Sequence, residues 1–129
     1  MAHTLETIKG DYSKALIDGD LERASELVEM AQLSGVGPLS LAINLLSPAL
    51  AEIGELWHQG KINIALEHLA TQFTVQVLDE LRARERLNPK NGKRCVVTAV
   101  EGEDHAVGVH VIANALYHDG WNVDYLGAN

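Results

Sequence analysis

The sequence predicts a mixed fold: four helices packed as a bundle, then the opening strand, helix and strand of a parallel α/β sheet. Three observations predict it. Apolar residues recur at helical spacing through about residue 86, breakers without periodicity fill Leu87 to Lys93, and a β-branched run begins at Arg94. The expected domains are therefore 1–86 as a helical cap, 87–93 as a linker, and 94–129 as the start of the sheet domain.

Each element has its own signal. Leu5, Ile8, Tyr12, Ala15 and Leu16 line one face of a first helix over Thr4 to Leu16, which Asp18-Gly19 closes. Asp20 caps a second helix that places Leu21, Ala24, Leu27, Val28 and Ala31 on one face, and Gly35 to Gly37 ends it. Pro38 suits the first turn of a third helix running to about His58, with Pro48 inside it as a kink or break. Gly60-Lys61 turns the chain into a long fourth helix from Ile62 to about Arg86. Short connections between consecutive helices favour antiparallel neighbours.

Arg94 to Val100 then reads as a buried strand that contains the single cysteine, Cys95. A polar loop, a helix from about Ala106 to His118, the turn Asp119-Gly120 and a second strand from Trp121 to Leu126 follow. Two parallel strands with one crossover helix leave a sheet face and an edge uncovered. The expectation is that the sheet is truncated here, the chain being a fragment or another segment completing it.

Composition excludes several classes. Apolar residues make up 47% of the 129, enough for a packed core. A formal net charge of -8 argues against direct nucleic-acid contact, because phosphate binding needs clustered Lys and Arg. One cysteine permits no disulfide within the chain. The amino terminus lacks the charged start and apolar stretch of a signal peptide, and no segment is expected to reach the length of a membrane span. A cytoplasmic protein without membrane contact is the default expectation.

The chemistry concentrates after the first strand. Glu103-Asp104-His105 puts a histidine at the carboxyl end of a strand with carboxylates beside it. A carboxylate that accepts the proton of one ring nitrogen fixes the tautomer and leaves the other nitrogen as a metal ligand. Ligands of α/β sheets bind beyond the carboxyl ends of the strands, where Gly108 and Gly127 would let a large planar group approach the backbone. Read alone, the same stretch is equally a helix start capped by Asp104.

Glu103-x-His105-x-x-Gly108 resembles the cobalamin-binding signature, usually Asp-x-His-x-x-Gly. Trp57, nine residues, then Glu67-His68 resembles the mark of the CarH-type adenosylcobalamin photoreceptors, in which a four-helix cap precedes a Rossmann-like cobalamin domain. The resemblance covers nearly the whole chain, with both motifs in the expected order. It implies adenosylcobalamin as cofactor, His105 as lower axial cobalt ligand, and Trp57 as a flat lid over the organic group on cobalt. It further implies that Glu67 hydrogen-bonds the adenosyl ribose, that His68 lines the upper face, and that His58 becomes the upper ligand after light.

The implied function is a light-sensor module for signal transduction and transcription regulation. Photolysis of the cobalt–carbon bond would shift the conformation or assembly of a homo-oligomer, or act on a fused or separate output domain, and the protein itself would catalyse nothing. Glu103 replaces the usual aspartate, the further strands with their Ser or Thr and Gly-Gly motifs are missing, and no DNA-binding module precedes the helices. Two other readings stay open: a corrinoid protein carrying a methyl group on methylcobalamin for a methyltransferase system, and a non-binding assembly domain. Trp57, Glu67 and His68 also have plain readings, a core aromatic and an exposed helix pair, and His58 one as a helix-end histidine favoured by the dipole. His3, His110 and His118 are expected to be ordinary surface or helix residues.

Overall fold

A computed structural model describes residues 5–84, 88–99 and 107–127. The order of elements is α1 Leu5–Ile17, α2 Leu21–Leu33, α3 Pro38–Leu41, a π-helical turn Ala42–Leu46, α4 Ser47–His58, α5 Ile64–Arg84, β1 Arg94–Thr98, α6 Val107–His118 and β2 Asn122–Gly127. Backbone contacts divide the chain into two compact units, 1–74 and 75–129. The division falls inside α5.

The first unit holds α1 to α4 and the first half of α5, and so ends short of the residue 86 expected for the helical cap. The Asp20 side chain accepts the backbone N–H of Arg23 at 3.0 Å, which satisfies one of the open donors at the start of α2. Its core is Ile8, Tyr12, Leu16, Leu27, Leu41, Leu45, Leu46 and Ile53. Pro48 has no N–H for the carbonyl of Asn44 and its ring crowds that carbonyl. The ladder instead widens just upstream, where Ser47 donates to Ala42 in an i to i−5 bond. Pro48 thus produces a π turn rather than a break, and one helical stretch runs from Pro38 to His58.

That stretch corrects the expectation about length. Its 21 residues are long and apolar enough, by length and composition, to cross a membrane. Leu41, Leu45, Leu46 and Ile53 are spent on the bundle interior, and a core helix meets the same criteria.

The second unit contains the end of α5, both strands and α6. β1 and β2 pair in parallel, Arg94 opposite Asn122 through Val97 opposite Tyr125, with an irregularity that sets Thr98 opposite Gly127. α6 lies on the face that carries Tyr125, whose ring meets His110 edge-on at 5.1 Å. The other face is open, with Val96 62% and Leu126 68% exposed. The strand expected to be buried is therefore covered on one side only, and Cys95 is half-buried. The uncovered face itself is as expected for two strands and one crossover.

No helix or strand forms over residues 88–93, yet the segment is stitched to its surroundings. Asn88 N–H donates to His118, Asn91 N–H to Gly120, and Asn122 N–H to Lys93, at 2.9, 3.1 and 2.9 Å. Gly120 adopts a φ of +100°, and a Cβ there would collide with the Pro89 carbonyl. Only glycine fits this crossing of two chain segments.

Candidate functional site

In the first unit the expected upper-face residues fall into two pairs. Trp57 and His58 end α4, with ring centroids 5.3 Å apart and planes tilted by 34°. The indole is half-buried, and the His58 ring is exposed in the last turn, where a helix end favours positive charge.

Glu67 and His68 lie in the first turns of α5 and differ sharply. Glu67 is 2% exposed, so the plain reading of an exposed pair does not hold for it. Thr71 donates its hydroxyl to one carboxylate oxygen at 3.2 Å, and His68 Nδ1 stands 2.9 Å from the other. The His68 side chain is 70% exposed.

Glu103, Asp104 and His105 lie outside the described residues, as does His3. What surrounds them in sequence is placed. Thr98 and Gly127 stand side by side at the carboxyl ends of β1 and β2, and Gly108 is exposed in the first turn of α6. A Cβ added at Gly108 would meet nothing within 4 Å. No packing contact among the described residues accounts for the glycine. Among the described residues no three His, Cys, Asp or Glu side chains converge on a metal position. A cofactor whose own ring fills most of the metal's coordination requires only one such ligand.

His110 departs from the expectation of an ordinary surface or helix residue, and His118 does not. His110 is only 9% exposed, with Nε2 3.0 Å from Asp79 Oδ1 across 31 residues of sequence. Beside it Asn114 donates to the Leu78 carbonyl at 3.3 Å, so both tie α6 to the end of α5. His118 is half-buried, its ring edge-on to Tyr117 at 5.9 Å. Burial, with the Asp79 charge adding to it, pushes the Tyr125 phenol above its ordinary range. Sequence reasoning missed this polar knot because nothing local distinguishes His110 from a surface histidine on an apolar helix.

A family model described as B12 binding domain matches residues 9–82. Trimethylamine corrinoid protein 1 of Methanosarcina acetivorans is 27% identical over 127 residues, which cover 95% of this chain and 58% of that protein. The HTH-type transcriptional repressor CarH of Myxococcus xanthus is 29% identical over 109 residues, 84% of this chain and 35% of that one. The solved monomethylamine corrinoid protein of Methanosarcina barkeri superposes with a TM-score of 0.80 at 18% identity, over 97% of this chain and 59% of its own. That likeness shows the fold: a four-helix cap and the start of a Rossmann-like sheet. The chain spans 58% of the length of the trimethylamine relative.

Proposed function

Because the chain belongs to the family of B12 binding domains, we propose that it is the cobalamin-holding part of a corrinoid protein that carries a methyl group for a separate methyltransferase. Bound cobalamin supplies a cobalt centre that accepts and releases methyl groups. His105 would hold the cobalt, oriented by Glu103, and Gly108 and Gly127 would let the ring approach the backbone. Trp57 would shield the bound group from water.

The observation that carries this reading over the light sensor is the run of trimethylamine corrinoid relatives, which align over 95% of the chain, whereas the CarH relative aligns over 84% of it.

A second reading rests on the Trp57, nine residues, Glu67-His68 spacing and the CarH relative. In it the bound adenosyl form would supply a light-labile cobalt–carbon bond, and His58 would be the histidine offered to the cobalt after light. One experiment separates the two. The protein is mixed in darkness with methylcobalamin and with adenosylcobalamin, and spectra are recorded before and after illumination. Methylcobalamin bound at least as tightly as the adenosyl form supports the carrier. A light-driven change specific to the adenosyl form, absent from His58→Ala, would replace the carrier with the sensor.

A further inference from the structure

The chain is acidic, yet six of its ten Lys and Arg residues fall between positions 82 and 94 with a single acid among them, Glu85. The second unit gathers Arg82, Lys90, Lys93 and Arg94 at the end where both strands begin. The Arg82 guanidinium lies 4.3 Å and the Lys90 ammonium 5.0 Å from the centre of the Tyr117 ring. Lys93 stands 5.3 Å from the Trp121 ring, and its backbone N–H is held by the Asn91 side chain at 2.8 Å. The three backbone bonds that tie residues 88–93 to the α6–β2 turn fix the same segment. Arg94 is already neutralised by Asp124 at 3.1 Å.

We propose that this platform of Arg82, Lys90 and Lys93 is a docking surface for a carboxylate-rich segment of a partner protein. Cation–aromatic stacking holds the charges in place before binding, so less side-chain freedom is lost on association. Local positive potential on a chain of net charge -8 steers an acidic patch to one place and repels it elsewhere. A nucleic acid fits less well. The Tyr117 ring is engaged by the protein's own cations rather than open to a base, and a duplex, with about one charge per 1.7 Å, presents more phosphates than these three cations can meet. The surface lies at the amino ends of β1 and β2, whereas the His105 loop follows the carboxyl end of β1. The inference is independent of the cofactor form.

A fluorescein-labelled oligoglutamate peptide, titrated with the whole chain at low salt, reads the interaction by polarisation. Lys90→Glu with Lys93→Glu should weaken binding about tenfold or more, and added salt should weaken it in the wild type. Lys9→Glu with Lys14→Glu, the same charge change on α1, should leave it within about twofold. Lys90→Gln with Lys93→Gln should give an intermediate loss, which covers the case in which charge reversal disturbs folding. Equal losses in the two reversed pairs, no binding by the wild type, or tighter capture of an oligothymidylate of equal charge would each overturn the proposal.

Discussion

Tyr12 has none of its surface exposed, and burial drives its phenol far above the usual range, with the Thr74 hydroxyl offsetting a little. The folded chain therefore holds a proton that the unfolded chain releases near pH 10, so stability is complete below that pH and falls as pH rises above it. Tyr12→Phe should remove this group's share of the loss, at most about 1.4 kcal/mol per pH unit. Urea midpoints at pH 9 and 11 check it: the wild type should fall more steeply than the variant. Equal slopes would mean that Tyr12 ionises freely. Burial of Tyr12 was readable from its helical spacing with Ile8 and Leu16. The Asp79 contact of His110 was not, because a partner 31 residues away is set by how α5 and α6 pack.

At the scale of elements, boundaries followed from chemistry that acts within a few residues. Asp20, Pro38 and the glycines after α1, α2 and α4 carry their meaning locally, and the helices begin or end within two residues of where these place them. Pro48 was legible as a disturbance but not as a π turn, because the choice between a break and one widened turn depends on keeping Leu45, Leu46 and Ala49 in the core. The ordered path of residues 88–93 was also hidden. Its bonds run to the α6–β2 turn, and the only local sign is Gly120. Gly120→Ala should cost at least about 2 kcal/mol in chemical denaturation, since both the positive φ and the approach of Pro89 oppose a side chain. A loss under about 0.5 kcal/mol would show that the crossing is loose.

For the whole molecule, the family assignment and the open sheet face point the same way. A cap that matches the B12 binding domain precedes a two-stranded sheet whose Val96 and Leu126 remain exposed. The motif order along the chain was enough to anticipate that architecture. The sequence did not distinguish methyl carriage from light sensing, since the spacing of Trp57, Glu67 and His68 is the same whichever group the cobalt carries.

The central claim, that the chain holds cobalamin through His105, is tested most directly by the absorption spectrum of methylcobalamin bound in darkness to the wild type and to His105→Ala. The wild type should show the cofactor's own base displaced and an imidazole in its place. The variant should lose that signature and bind at least about tenfold more weakly, since loss of an outer-shell partner alone costs that much. An unchanged spectrum and affinity in His105→Ala would contradict the claim.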